Sequence, residues 1–275
     1  MPRRNSSTVK LISVIVPAYK QEKTIIKDIK NIEIALRNLG YKYEIIIVVD
    51  GIVDRTYNKA ITLKSKKVRV LSYEKNQGKG NAIRYGMLHA KGDIIGFIDA
   101  GMDIHPTGFN MLLNHMEWYN ADIIVGSKLH PVSKVKYPVY RTVLSWGYRL
   151  FTMTLFGFKV RDTQVGLKFF KKKVIKDVLP RLLVKRYAFD IELLAVSYAL
   201  GYKRIYEAPI EITFKNGSIT SKNLWRIIYL MLWDTAAVFY RLRIKRYYYR
   251  KRTTAKKEKA MLQRNAKLHL WFNNS

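Results

Sequence analysis

Residues 94–103 read Ile-Ile-Gly-Phe-Ile-Asp-Ala-Gly-Met-Asp, and this stretch decides the fold. Its short apolar run is typical of a buried strand, and two carboxylates, Asp99 and Asp103, follow it. Open α/β sheets bind ligands beyond the carboxyl ends of their strands, and hard cations such as Mg²⁺ or Mn²⁺ prefer oxygen ligands there. We therefore expect Asp99 and Asp103 to hold Mg²⁺ or Mn²⁺. A solvated loop whose aspartates cap their own backbone would show the same pattern, so the rest of the chain must decide.

Strand and helix patterns alternate around this stretch. Strands are predicted at residues 12–16, 44–49, 68–73, 94–98 and 122–125, and helices at 22–39, 80–90, 109–119, 173–183 and 188–200. Strands that alternate with helices of this length predict an α/β fold with a mostly parallel, doubly wound sheet. The apolar, aromatic segment 140–158 and the last two helices would close one side of the site.

The chain is strongly basic, with 51 Lys and Arg against 20 Asp and Glu and a net charge of +31. A charge of this size attracts anions, so the partner or surface is expected to be nucleic acid, anionic lipid or a phosphorylated substrate. The sequence contains no cysteine. Disulfides and thiolate metal sites are therefore excluded, and a reducing compartment is expected.

The segment 224–245 is apolar but interrupted by charges. Arg226, Asp234, Arg241 and Lys245 fall within about 100° of one another around a helix, which predicts one polar stripe on an apolar helix. Such a helix can lie in the headgroup plane of a membrane. Alternatively, its apolar face packs on its own domain or on a second subunit, which would make a homo-oligomer. Residues 241–267 are dense in Lys and Arg with interleaved tyrosines, as in a tail that contacts an anionic surface or is simply solvated.

Four motifs stand in order along the chain. Residues 13–22 read SVIVPAYKQE, residues 44–51 read EIIIVVDG, residues 76–83 read NQGKGNAI, and Gly92-Asp93 precedes the acidic stretch. In this order and spacing they resemble the family 2 glycosyltransferases of the GT-A fold, over residues 12–218. The resemblance implies a GT-A, Rossmann-like domain that binds a nucleotide sugar. It divides the chain into a basic arm (1–10), a GT-A domain (11–218), and an amphipathic interfacial helix with a basic tail (219–275).

Two further motifs resemble a subgroup of that family. Residues 161–170, RDTQVGLKFF, and residues 187–194, YAFDIELL, are similar to signatures of the enzymes that glucosylate dolichyl phosphate. The resemblance implies inverting transfer of a hexose from a donor of the UDP-glucose or GDP-mannose type, with UDP-glucose favoured. The acceptor would be a polyprenyl phosphate, at the cytoplasmic face of the membrane.

The resemblance also assigns roles to residues. Those expected to contact the nucleotide sugar are Pro17, Ala18, Tyr19, Glu22, Asp50, Lys79, Asp99, Ala100 and Gly101. Asp99 and Asp103 would hold the metal as a Lewis acid, and Asp162 and Gln164 would order the loop beside the reacting sugar. Cations expected to hold the acceptor phosphate are Arg141, Lys128, Lys168 and Lys215. Arg141 is favoured because its planar fork can bind phosphate through two hydrogen bonds.

Some positions depart from the family pattern. Gly101 stands where the family's metal motif has its second Asp, and Asp103 would supply the missing charge. Val49 replaces the first Asp of the second motif, which leaves Asp50 to contact the base, so donor identity is the property most affected.

Other functions stay open at this point. A transferase with a hydroxyl acceptor would need a base, either Asp190 or Glu192. A nucleic-acid-binding protein would explain the charge and the tyrosines but would leave the ordered motifs unexplained.

Overall fold

A mixed α/β sheet with helices on both faces forms the centre of the molecule. The computed structural model describes residues 9–101, 104–130, 132–133, 139–158, 160–186, 188–211 and 224–249. Its strands are β1 (Leu11–Ala18), β2 (Lys42–Asp50), β3 (Val68–Tyr73), β4 (Ile94–Ile98), β5 (Ile123–Ser127), β6 (Leu167–Lys171) and β7 (Ile205–Pro209).

The described strands form a seven-stranded sheet in the order β3-β2-β1-β4-β6-β5-β7. β1 pairs in parallel with β2 and β4, β2 pairs in parallel with β3, and β5 pairs in parallel with β7. Only β6 runs antiparallel, between β4 and β5. The mostly parallel sheet predicted from the sequence is therefore confirmed, whereas β6 and β7 were not among the predicted strands.

The helices cover both faces of the sheet. They are α1 (Ile25–Arg37), α2 (Thr56–Ile61), α3 (Lys79–His89), α4 (Gly108–Trp118), α5 (Val139–Phe156), α6 (Lys172–Val178), α7 (Phe189–Ala199) and α8 (Leu224–Phe239). α6 ends earlier than the predicted helix 173–183, because a short 3₁₀ turn, Leu179–Arg181, carries Pro180. Proline lacks the N–H that would continue an α-helix.

Alternate residues of each central strand face opposite layers. In β1, Ile15 belongs to the core that includes residues of α3 and α7, whereas Val14 and Val16 belong to the core beneath α1 and α4. Parallel strands covered on both faces are apolar throughout, which is why β1 and β2 read as continuous apolar runs. The two layers hold the carboxyl ends of the strands in a fixed position.

The end of α8 and the residues after it pack onto the sheet domain. Val238, Leu242 and Tyr248 are at most 2% exposed and belong to the same core as Ile15. One face of this C-terminal segment therefore packs on its own domain, which is one of the alternatives left open above. No described helix is both long enough and apolar enough to span a bilayer.

Candidate active site

A cleft of about 550 Å³ opens at the carboxyl ends of β1, β2 and β4. Residues predicted from the sequence that line it are Pro17, Ala18, Tyr19, Asp50, Lys79, Asp99, Ala100 and Gln164. The cleft includes the point where the sheet order reverses, between β1 and β4, which are neighbours although β4 follows β3 in the chain. Open sheets of this kind bind ligands at such a reversal.

An ion pair crosses the cleft. The Nζ of Lys79 lies 2.8 Å from each carboxylate oxygen of Asp99. Burial acts to lower the pKa of Lys79, but the carboxylates of Asp99 and Asp190 outweigh it, so the pKa is raised above its usual value. The cleft therefore carries a permanent cation beside the carboxylate that was predicted to bind metal.

Gly166, the residue before β6, contacts Asp99. The backbone N–H of Asp99 donates to the carbonyl of Gly166 at 3.0 Å, and a Cβ built on Gly166 would lie 1.8 Å from Asp99 Oδ2. No side chain fits between them. The glycine of the RDTQVG motif thus makes room for the carboxylate at the end of β4.

Asp50 organises the loop before α3. Its carboxylate accepts hydrogen bonds from the backbone N–H groups of Gln77 and Gly78, the Nδ2 of Asn76 and the hydroxyl of Tyr73, at 2.7–3.3 Å. Gly78 has a φ of +100°, a conformation that favours glycine. Asp50 was expected to contact the base or ribose, but its oxygens are already engaged in shaping the loop that presents Lys79.

Close packing between α3 and α7 brings a second ion pair to the cleft. A Cβ built on Gly80 would lie 2.5 Å from the Cβ of Phe189, so the two helix starts can meet only at a glycine. Next to Phe189, Asp190 lines the cleft and accepts a hydrogen bond from the ammonium of Lys168.

Lys168 is fully buried, and its ammonium also donates to the carbonyl of Val165. Burial lowers the pKa of Lys168, against the opposing effect of Asp190. The ammonium faces the interior and is engaged by Asp190, which corrects the expectation that Lys168 contacts the acceptor phosphate.

Glu192 is a structural carboxylate. It is fully buried and accepts hydrogen bonds from the backbone N–H groups of Leu183 and Val184 and from the hydroxyl of Tyr248. Burial raises its pKa, although these hydrogen bonds act in the opposite direction. Of the two carboxylates considered as a base for a hydroxyl acceptor, only Asp190 therefore lines the cleft.

The loop before β6 is ordered by carboxylates. Glu207 accepts hydrogen bonds from the backbone N–H groups of Arg161 and Asp162, and Asp162 accepts from those of Lys128 and Gln164. The Lys128 ammonium lies 3.9 Å from Asp162, so Lys128, which follows β5, contacts this loop. Asp162 therefore orders the loop without lining the cleft. Of the residues in these contacts, Gln164 is the one that lines it.

Gln164 reaches towards α5. Its Nε2 donates to the hydroxyl of Tyr148 at 3.2 Å, and that hydroxyl lies 2.9 Å from the Oγ1 of Thr235 on α8. Neither contact was predicted from the sequence.

The remaining predicted residues lie elsewhere. Glu22 accepts a hydrogen bond from the backbone N–H of Arg55 and does not line the cleft. Gly101 donates its N–H to Asp28, and its φ of +99° suits glycine rather than the aspartate of the family pattern. Arg141 belongs to α5, but its side chain is outside the described structure. Asp103 and Lys215 lie outside the described residues.

Sequence reasoning did not assign several residues of the lining, which are Gln21, Asn76, Gly78, Gly80 and Arg186, and it considered Asp190 only as a base for a hydroxyl acceptor. Asn76, Gly78 and Gly80 belong to the NQGKG motif, so the motif itself could have identified them. Arg186 immediately precedes the YAFDIELL motif but carries no signal of its own. It adds a second cation to the cleft.

The residues present fit a metal held by few protein ligands. Within the described ranges, no group of three or more His, Cys, Asp or Glu is placed to hold a metal ion. Asp50 is engaged by the loop of residues 76–78 and Asp190 by Lys168, whereas Asp99, at the end of β4, pairs with Lys79, a cation that itself lines the cleft. Hard cations such as Mg²⁺ are commonly held by one or two carboxylates together with waters and substrate phosphates. The cleft fits that arrangement, with the substrate supplying most of the ligands.

Comparison with curated proteins and solved structures places the chain among known enzymes. It is 31% identical over 222 residues to the dolichyl-phosphate beta-glucosyltransferase of Dictyostelium discoideum, which covers 75% of this chain and 68% of that protein. It is 34% identical over 200 residues to the Drosophila melanogaster protein of the same name, covering 66% of this chain and 61% of that protein. The chain thus spans roughly two thirds of the length of these relatives.

Solved structures share the fold. Glucosyl-3-phosphoglycerate synthase from Mycobacterium tuberculosis, in complex with Mn²⁺, UDP and glucosyl-3-phosphoglycerate, matches with a TM-score of 0.62 and 20% identity, over 83% of this chain and 80% of that chain. Mannosyl-3-phosphoglycerate synthase from Rubrobacter xylanophilus matches with a TM-score of 0.66 and 19% identity, over 86% and 75%. These likenesses confirm the GT-A fold.

The family is shown by the sequence itself. The family described as "Glycosyl transferase family 2" matches residues 13–179, more than half of the chain, and this range contains the first four motifs and the RDTQ loop. The chain therefore belongs to glycosyl transferase family 2.

Proposed function

We propose that this protein transfers a hexose, glucose in the first instance, from a nucleotide sugar to a polyprenyl phosphate of the dolichyl type, with inversion at the anomeric carbon. The observation that carries the proposal is the Lys79–Asp99 pair, set between Gly166 and the NQGKG loop in a cleft at the reversal of the sheet. The names of the relatives support the acceptor, and the RDTQ loop supports glucose.

The cleft suits a leaving diphosphate. Negative charge grows on the diphosphate as the sugar departs, so fixed cations in a pocket stabilise the transition state more than water would. Lys79 and Arg186 supply two such cations. Mg²⁺ or Mn²⁺ bound at Asp99 would add Lewis-acid stabilisation of the same charge.

The acceptor needs no strong base if it is a phosphate, because a phosphate is already ionised near neutral pH. The arrangement of Asp190 favours this case. Its Oδ1 is engaged by the buried ammonium of Lys168, which makes Asp190 the counter-ion of an interior cation. A hydroxyl acceptor would require that same carboxylate to accept a proton in the transition state.

We also propose that the protein acts at the cytoplasmic face of a membrane. α8 presents Tyr229 and Trp233 to solvent, 62% and 64% exposed, and α5 presents Trp146, 62% exposed. Aromatic side chains of this kind are enriched at membrane interfaces. The net charge of +31 would add attraction to anionic lipid.

Transfer of radiolabelled sugar into extractable lipid tests the proposal. UDP-glucose, GDP-mannose and UDP-N-acetylglucosamine are each supplied with polyprenyl phosphate and with Mn²⁺, Mg²⁺ or chelator. We expect metal-dependent label in lipid from UDP-glucose, lost in Asp99→Asn. Folded protein that labels a hydroxyl acceptor but no lipid phosphate would replace the proposal with the hydroxyl-acceptor reaction.

Membrane binding is tested separately by flotation with vesicles. Phosphatidylcholine vesicles with and without phosphatidylserine are compared for the wild type and for Trp233→Ser. Binding that depends on phosphatidylserine and weakens in the variant supports action at the membrane surface. Equal recovery of wild type and variant in the protein-only fraction would contradict it.

A further inference from the structure

A second cleft, of about 770 Å³, lies between α5 and α8. Its walls are apolar and include Leu144, Gly147 and Phe151 of α5 and Ile228, Leu232 and Ala236 of α8. We call it the α5–α8 groove. Its volume is in the range of small-molecule sites, and apolar walls of this kind suit hydrocarbon rather than a sugar or nucleotide.

Tyr148 joins the groove to the polar cleft. Its ring lines the groove, and its hydroxyl accepts from Gln164, which lines the polar cleft. Burial raises the pKa of Tyr148 to about 12, so the hydroxyl stays protonated and can donate as well as accept. A hydrogen bond between Gln164 and Tyr148 therefore connects the lining of the polar cleft to the lining of the apolar groove.

The polar side of this junction is cationic. Arg186 lines the polar cleft and also lies in a shallow depression with Asp234 and Arg241, next to α8. Lys79 lies in the same polar cleft. A molecule with an anionic head and a hydrocarbon chain would match both halves, the head at the cations and the chain along the groove.

We propose that the α5–α8 groove binds the first isoprene units of the polyprenyl phosphate acceptor, with Tyr148 at the junction of chain and phosphate. This inference rests on the proposed function, because it concerns the acceptor of that reaction. Only the part of the chain next to the phosphate fits in the groove. The remainder leaves past the exposed pair Tyr229 and Trp233, whose rings stack with centroids 6.2 Å apart.

Filling the groove tests the proposal. Gly147→Leu adds a side chain into open space, since a Cβ at Gly147 has no neighbour within 4 Å, so the variant should fold. Ala236→Trp fills the groove from α8. Thr154→Leu, at an exposed position of α5 outside the groove, is the matched control. Thermal unfolding checks that each variant is folded.

With the full chain in detergent, we expect both groove variants to raise the KM for polyprenyl phosphate about tenfold. A change of this size is expected when one or two methyl or methylene groups of the lipid can no longer be buried in the groove. The KM for the nucleotide sugar should not change, and Thr154→Leu should match the wild type. Unchanged acceptor KM in both folded groove variants would overturn the groove while leaving the transfer reaction intact.

A photoreactive prenyl phosphate gives a second measurement that does not depend on turnover. We expect it to label peptides of α5 and α8, and excess polyprenyl phosphate, but not UDP-glucose, to compete. Labelling without any sugar transfer would support the groove and reject the proposed reaction. Competition by uncharged prenol or phosphatidylcholine as strong as that by polyprenyl phosphate would overturn the proposal in favour of a general lipid contact. Loss of labelling on dimerisation would assign the groove to a second copy.

Discussion

The carboxylate of Asp99 lies directly against the Cα of Gly166, so that a Cβ at Gly166 would come within 1.8 Å of Asp99 Oδ2. These residues lie far apart in the sequence, Asp99 just after β4 and Gly166 just before β6, which is the adjacent antiparallel strand. The position of the carboxylate that we expect to bind the metal therefore depends on a residue without a side chain.

Gly166→Ala should displace the Asp99 carboxylate and reduce kcat/KM for sugar transfer about a hundredfold, since a shift of about 1 Å in a reacting group can cost that much. Titration of Mn²⁺ with UDP should show weakened binding as well. Gly201→Ala is the control, because its φ of +99° strains an alanine but nothing lies within 4 Å of the new Cβ. The control should lose about 1 kcal/mol of stability and keep its activity. Equal activity of both variants would contradict this account of Gly166.

Lys79→Met should weaken UDP binding by about ten- to a hundredfold, the usual loss for a hydrogen bond to a charged group. The pKa of Lys79 is raised, so the ammonium is present in the folded protein at neutral and mildly alkaline pH. Its ion pair should weaken only as pH rises through that raised pKa. UDP affinity of the wild type, measured by calorimetry, should therefore not fall between pH 7 and pH 9 through loss of this charge. The prediction would be contradicted if UDP affinity fell tenfold between pH 7 and pH 9 in the wild type but not in Lys79→Met.

Tyr248→Phe removes the hydroxyl that donates to the buried Glu192. We expect the free energy of unfolding to fall by about 2 kcal/mol, because the carboxyl group of Glu192 stays buried with one hydrogen bond fewer. UDP binding should be unchanged, since neither residue lines the cleft. Tyr249→Phe, at a neighbouring exposed position, is the control for denaturant unfolding. If the two variants have the same free energy of unfolding, the hydrogen bond between Tyr248 and Glu192 does not contribute to stability.

The pH dependence of Glu192 has a definite sign. Burial raises the pKa of this acid in the folded state above its unfolded value, so the ionised form is penalised by folding. The penalty is complete above the folded pKa and absent below the unfolded pKa. The stability of the wild type relative to Glu192→Gln should therefore increase as pH falls through that window. Denaturant unfolding of both proteins at a series of pH values measures the difference, and a decrease on acidification would contradict it.

Tyr148→Phe keeps the ring in the α5–α8 groove and removes the hydroxyl that contacts Gln164 and Thr235. We expect the free energy of unfolding to fall by about 1 kcal/mol. The rate of sugar transfer should also fall, because Gln164 loses the hydroxyl that holds its side chain. The KM for the nucleotide sugar should change less than the KM for the acceptor. Tyr240→Phe, at an exposed position outside the groove, should behave as wild type. A larger effect on the donor than on the acceptor would place Tyr148 in donor binding instead.

The parallel strands β1 to β4 could be predicted because each is rich in apolar residues and is followed by a recognisable turn, and β1, β2 and β4 are buried over almost their whole length. β6 was not predicted, because Lys168 interrupts its apolar run. The charge of Lys168 is balanced by Asp190 on α7, and no local pattern reveals a partner so distant in sequence. β7 was missed because Glu207 and Pro209 break its pattern.

Residues of the motifs line one cleft in the structure, but the motifs did not indicate all of their contacts there. Asp50 was expected at the base, whereas the structure shows its oxygens bound to the loop of residues 76–78. A carboxylate that binds a ligand and one that binds the backbone look the same in a sequence. Only the positions of the surrounding N–H groups, set by tertiary packing, separate the two.

The contact between Asp99 and Gly166 also bears on the order in which the protein becomes functional during synthesis. The first four strands and the NQGKG loop leave the ribosome well before Gly166 and before Phe189, against which Gly80 packs. Contacts between distant parts of a chain form after local ones, because closing a longer loop costs more entropy. A nascent chain therefore carries most of the recognisable motifs long before it can hold a nucleotide sugar, and a fragment that stops short of β6 and α7 would keep the motifs without a working site.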